Sequence, residues 1–141
     1  MQVITNLFVL FFAVLGVPAS LLPHVNVDVG LASVFHGEGD PQNPNPHLAC
    51  LWKNKRITPE TAEKATGFPA LAHNGLPCET RVTVCTIRPP QQRMCAKGLV
   101  LERGNMKYAK VDLSIQLARK LGYGKKGGFN GLEQVVFMYP K

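Results

Sequence analysis

The stretch FPALAHNGLPCETRVTVC, Phe68 to Cys85, holds two short apolar runs separated by an Asn-Gly-Leu-Pro turn. FPALAH is too short for a stable helix, and TRVTVC is rich in β-branched residues, so both read as strands. Working outward, VGLASVFH (from Val29), MCAKGLVL, AKVDL and LEQVVFMY have the same character and are separated by Gly or Pro. Many short strands with turn residues between them predict an all-β barrel or sandwich.

Two helices interrupt the strands. In KNKRITPETAEKATG, Thr58 suits an N-cap, Pro59 the first helical position and Gly67 the stop. In DLSIQLARKLGYG, Leu113, Leu117, Ala118 and Leu121 fall at helical spacing, Asp112 or Ser114 can cap the start, and Gly122 can end it. GEGDPQNPNPH is a loop by composition. No internal repeat and no low-complexity tract stands out.

The first nineteen residues carry no charge and contain an apolar run from Leu7 to Val17 ending in Val-Pro-Ala. This pattern predicts a secretory signal over residues 1–19, with an uncleaved amino-terminal anchor as the alternative because no Lys or Arg precedes the run. A spacer over 20–28 and a single domain over 29–141 follow. About 120 residues suffice for one core and not comfortably for two. No lipid-attachment cysteine stands near Ala19, so a soluble monomer, secreted, periplasmic or in the cell wall, is expected, without stable membrane association.

The formal charge is +7, all of it carried beyond the signal. Scattered bases, without an aromatic RNA-binding motif or zinc-finger spacing, argue against nucleic acid, and for an exported protein they point to an anionic wall polymer or membrane surface. Charge that only keeps the protein soluble is the bland alternative. Four cysteines permit three pairings. Cys85 closes one strand and Cys95 precedes the next, which suits a bridged hairpin and leaves Cys50 with Cys78. A zinc site lacks any Cys-x-x-Cys pair. His36 and His47 flank a loop with Asp40 at no metal-like spacing, and read as solvated, as do Lys125 and Lys126.

GLASVF, LAC, ALAHNGLPCETRVTV, LERG, VDLSIQLARKLG and GLEQVVF stand in one order. This series resembles the rare lipoprotein A-like proteins, septal lytic transglycosylases, and more distantly the barrel domains of expansins and barwin-like proteins. The resemblance covers about Gly30 to Tyr139. It implies a mainly β fold: a six-stranded double-psi β-barrel with one short helix at about Leu113 to Leu121, to which this sequence adds a short inserted helix at about Pro59 to Ala65. It implies that His73 and Glu102 face a glycan groove, that Asp112 matches an acid expansins need, and that Ser33 matches a groove hydroxyl. Three departures stand out: Glu102-Arg103-Gly104-Asn105 replaces Asp-Arg-Gly-Pro, Glu79 replaces a glycine, and the segment around Pro59 to Ala65 is extra.

The function this implies is cleavage of peptidoglycan strands between N-acetylmuramic acid and N-acetylglucosamine, giving anhydro-muramyl products without a cofactor or metal. One carboxyl group can donate and then accept the proton if its pKa is raised, and two nearby carboxylates raise one of the pair. The candidate catalytic residues are therefore Glu102, Asp112 and His73, with Ser33, Asn74, Arg103 and Trp52 as candidate sugar contacts. Each has a structural alternative: helix capping for Asp112, about 1 kcal/mol; an ion pair with Arg103 or Arg119 for Glu102; a backbone hydrogen bond for His73; core filling for Trp52. The rival functions are an expansin-like wall-binding or wall-loosening module without turnover, and a barrel-based effector that binds a partner protein.

Overall fold

The computed structural model describes residues 24–35, 47–87, 92–104, 106–123 and 132–141. The signal segment, His36, Asp40, Lys125 and Lys126 lie outside them. In chain order the elements are β1 (Val25–Phe35), α1 (Pro59–Thr66), β2 (Ala70–His73), β3 (Arg81–Thr86), β4 (Cys95–Glu102), β5 (Val111–Ser114), α2 (Ile115–Lys120) and β6 (Glu133–Pro140). The strands close into a six-stranded barrel, as the resemblance implies, in the order β1-β5-β2-β4-β3-β6. β1 pairs parallel with β5, and β2 parallel with β4; every other neighbouring pair is antiparallel.

This set of pairings is unchanged when β1, β2 and β3 are exchanged for β4, β5 and β6. The barrel thus has the internal twofold of a double-psi connectivity. The repeat is one of pairing, not of residues.

Inward-facing positions build the main core. Leu71, Val82, Val84, Val100, Val111, Leu113, Val135 and Phe137 are buried there, joined by Leu117, Ala118 and Leu121 of α2. A fully buried Val, Leu or Phe contributes about 1.5–3 kcal/mol relative to exposure, so these side chains supply most of the drive to close the barrel. Gly98 on β4 leaves room for two of them: a methyl there would lie 2.8 Å from Cδ2 of both Leu71 and Leu117 and 3.3 Å from the Pro69 carbonyl. Gly98→Ala is expected to destabilise the protein by about 1–3 kcal/mol. A lowered urea midpoint checks this; an unchanged midpoint would show a looser interior.

A second apolar cluster lies outside the barrel wall. Ala70 of β2 and Leu99 and Leu101 of β4 pack against Leu48, Cys50, Ile57 and Ala62. The segment from His47 to Gly67 is therefore a cover for the β2–β4 wall, which is apolar on both faces. Its helix α1 is held as predicted: Thr58 Oγ1 accepts from Thr61 N (3.4 Å), Thr61 Oγ1 accepts from Thr58 N (3.0 Å), and Gly67 ends it at φ 84°. Both disulfides match the predicted pairing, Cys50–Cys78 and Cys85–Cys95.

Two boundaries differ from expectation. β1 begins at Val25 rather than Val29, because Val25, Val27 and Val29 continue the strand alternation and β6 extends to Pro140 to pair with them. The end of the expected spacer is thus strand. Helix α2 begins at Ile115, because Leu113 and Ser114 remain in β5 and Ser114, not Asp112, is the cap: its Oγ accepts from Leu117 N at 3.3 Å.

Candidate functional site

The strand registers place four residues side by side. Ser33 on β1 pairs with Asp112 on β5, Asp112 with Ala72 on β2, and Ala72 with Glu102 on β4. Their neighbours Ala32, Val111, Leu71 and Val100 belong to the barrel core, so side-chain alternation turns Ser33, Asp112 and Ala72 to the outer wall. The small Ala72 separates the two acids. At the usual strand spacing their Cα atoms stand roughly 10 Å apart.

Glu102 joins this row only because of a bulge. Along β4, Leu99 packs outside and Val100 inside, and strict alternation would send Glu102 inward. The register steps from Leu71–Val100 to Ala72–Glu102, leaving Leu101 as the extra residue. A bulge of this kind re-aims the next side chain. Here it also leaves the Leu101 carbonyl to accept from Cys50 N, at 2.9 Å.

That contact begins the second wall of the site. Leu48 and Cys50 are buried in the outer cluster, Leu48 N donates to the Ile57 carbonyl (2.9 Å), and Cys50 is bonded to Cys78. Ala49, between them, points its amide at Glu102: Oε2 accepts from Ala49 N at 3.1 Å, and Oε1 accepts from Arg103 N at 2.8 Å. Among the described residues no ion pair involves Glu102. Each oxygen keeps a second lone-pair direction. Asp112 Oδ1 accepts from Ser33 Oγ at 2.9 Å.

Between the barrel wall and the covering segment lies a groove of about 660 Å³, lined by Ala72, Asp112, Glu102 and Arg103 on one side and by His47, Leu51 and Arg56 on the other. The structure thus brings together Glu102, Asp112, Ser33 and Arg103. Arg56, Leu51 and His47 are not legible as site residues, since nothing in the covering segment's sequence marks the face it presents.

His73 and Asn74 lie elsewhere. Ala72 faces the groove, so the next residue of β2 turns away from it, and His73 packs edge-on against Phe137 (5.6 Å between centroids) and near Tyr139 (6.3 Å). With Asn74, Asp28, Tyr108 and Lys110 it lines a separate hollow of about 410 Å³. Asn74 Nδ2 donates to the Met106 carbonyl at 3.2 Å. Trp52 is half-buried against the outer cluster and opens a two-residue hairpin closed on Lys55, with Lys53 and Asn54 both left-handed (φ 49° and 64°). The Lys53 ammonium lies 5.9 Å from its ring centroid.

His73 Nδ1 accepts from both Gly75 N (3.0 Å) and Leu76 N (3.1 Å), so it tightens the turn before Pro77. Protonation at Nδ1 would break both bonds. Burial holds its pKa below the ordinary 6.5; Asp28 opposes this and Lys110 adds to it. The unfolded chain therefore takes up the proton at a higher pH than the folded one. Stability is full above about 6.5 and is lost as pH falls from there through the lower folded value. A His73→Asn variant should flatten the slope of urea stability against pH in that interval; an unaltered slope would remove His73 as its source.

Among the described residues no group of three or more His, Cys, Asp or Glu is placed to hold a metal, and no helix is long and apolar enough to cross a membrane. Fold and site together define a disulfide-bonded six-stranded barrel with a hydroxyl and two carboxylates in a row on one wall. No protein-family model matches the chain, and no curated protein matches it.

Proposed function

We propose that this chain is an exported, peptidoglycan-active protein of the rare lipoprotein A-like kind that cleaves glycan strands by lytic transglycosylation. The observation that carries the reading is the row Ser33–Asp112–Ala72–Glu102, of which Asp112, Ala72 and Glu102 line an open groove and Ser33 holds Asp112 from beside it. A groove gives an extended polymer access from both ends, and a small residue between two acids leaves room for a sugar ring.

Glu102 in its acid form gives its proton to the glycosidic oxygen as the C1–O bond breaks. The muramyl 6-hydroxyl then attacks C1, closing the anhydro ring, and its proton returns to the Glu102 carboxylate. No water is consumed. Asp112, oriented by Ser33, stabilises positive charge developing on the sugar. Arg103 lies on the rim as a sugar contact. His73 supports the turn behind β2 rather than touching the reacting atoms. The two disulfides accord with a secreted, periplasmic or wall location, and the partner is the strand itself or another anionic wall polymer.

One observation favours a second reading, an expansin-like module that binds and loosens wall without turnover. Both Glu102 oxygens are anchored by backbone amides, which suits a carboxylate that holds a sugar hydroxyl. Incubation with insoluble peptidoglycan separates the two: soluble fragments support the enzyme, whereas sedimentation with the wall and no fragments supports the module. Neither binding nor fragments would overturn both.

A further inference from the structure

The groove carries charges of both signs. Its floor holds Asp112 and Glu102, while Arg103 and Arg56 stand on the rim and on the covering wall. Arg56 is placed by the fold of that wall. The Trp52–Lys55 hairpin reverses the chain, Ile57 is buried in the outer cluster, and Leu48 N is bonded to the Ile57 carbonyl. Alternation then leaves Arg56 outside the cluster, exposed in the groove. The wall is fixed to the barrel by the Cys50–Cys78 bond, by Cys50 N on the Leu101 carbonyl and by Ala49 N on Glu102. The Arg56 guanidinium therefore stands on an anchored segment that faces the groove.

We propose that Arg56 and Arg103 select a glycan bearing carboxylates, by gripping the acid substituent of one sugar while the neutral linkage beside it lies over Glu102 and Asp112. The planar guanidinium fork matches a carboxylate bidentately. The floor carboxylates repel the same substituent, so attraction and repulsion together fix its direction: acid towards Arg56 and Arg103, linkage towards the acids. A neutral strand gains neither the attraction nor the register. This rests on the polysaccharide reading of the groove, and it adds the chemical class of sugar that the groove prefers.

The test compares peptide-stripped peptidoglycan strands, whose lactyl carboxylates are free, with the same strands after reduction of those carboxyls to alcohols. Binding is measured by isothermal titration at fixed ionic strength for the wild type, Arg56→Gln, Arg103→Gln and Lys53→Gln. Lys53 is exposed and lies outside the groove lining, so its variant controls for net charge; circular dichroism verifies the fold of each. The wild type should bind the acidic strands about tenfold more tightly than the reduced ones, the size of one charge-assisted pair. Arg56→Gln and Arg103→Gln should lose most of that preference, and Lys53→Gln should keep it. Equal wild-type affinity for both strands would overturn the proposal and leave the glycan-groove reading standing. Loss of preference in Lys53→Gln as large as in Arg56→Gln would overturn it in favour of general charge. Binding to neither strand would overturn both.

Discussion

A Glu102→Gln variant is expected to lose at least a hundredfold in the rate of anhydro-product formation while keeping its fold and its binding to the wall. Positioned proton transfer contributes roughly 10²–10⁴-fold, and in the proposed mechanism one group both gives and takes the proton. Gln keeps the size of Glu and one carbonyl oxygen, so one of the two backbone amides from Ala49 and Arg103 retains an acceptor. The other is left facing an NH₂ group, which costs stability on the order of 1 kcal/mol at a partly exposed position. The barrel does not depend on it. Release of soluble fragments, followed by chromatography beside a denaturation curve, checks both halves. Activity retained within a few-fold would remove Glu102 from the chemistry.

Replacing Cys50 and Cys78 together by Ala is expected to destabilise the protein by about 3–4 kcal/mol, the loop-closure value for the separation of 28 residues. Removing Cys85 and Cys95, separated by only 10 residues, should cost about 2.5–3 kcal/mol on the same account. The larger difference is functional. Cys50–Cys78 ties down the segment whose Ala49 amide holds Glu102, whereas Cys85–Cys95 joins β3 to β4 at a register pair away from the groove. Under conditions where both variants remain folded, the first should lose much of its activity and the second little. Guanidinium titrations and fragment release measure the two effects. Equal activity losses would mean that the covering segment does not position Glu102.

The strands were legible because Val and Leu runs broken by Gly and Pro leave few alternatives. The cap of α1 was legible because Thr58, Pro59 and Gly67 each have one ordinary use at their positions. The disulfides followed from Cys85 and Cys95 flanking one hairpin. The direction of Glu102 was not legible: Leu99-Val100-Leu101-Glu102 reads as a buried strand, and only the register with β2 reveals the bulge at Leu101. Asp112 and Ser114 are both candidate caps in the sequence because VDLS offers them two residues apart, and local sequence cannot say which ends the strand. The side on which His73 lies required the same register. The extra methylene of Glu102, relative to the aspartate of the motif it resembles, gains a reason only in three dimensions, where the carboxylate reaches the Ala49 amide of the covering segment. The internal twofold was hidden because the two halves share pairings and not residues.

The central claim is that the row of acids performs an intramolecular displacement, and the products carry its signature. Mass spectrometry of fragments from peptide-stripped strands incubated with the wild-type protein should show muramyl ends one water lighter than hydrolysed ends, with no label taken up when the reaction is run in ¹⁸O water. Fragments with ordinary reducing ends that carry the label, or intact strands recovered with the protein bound, would contradict it.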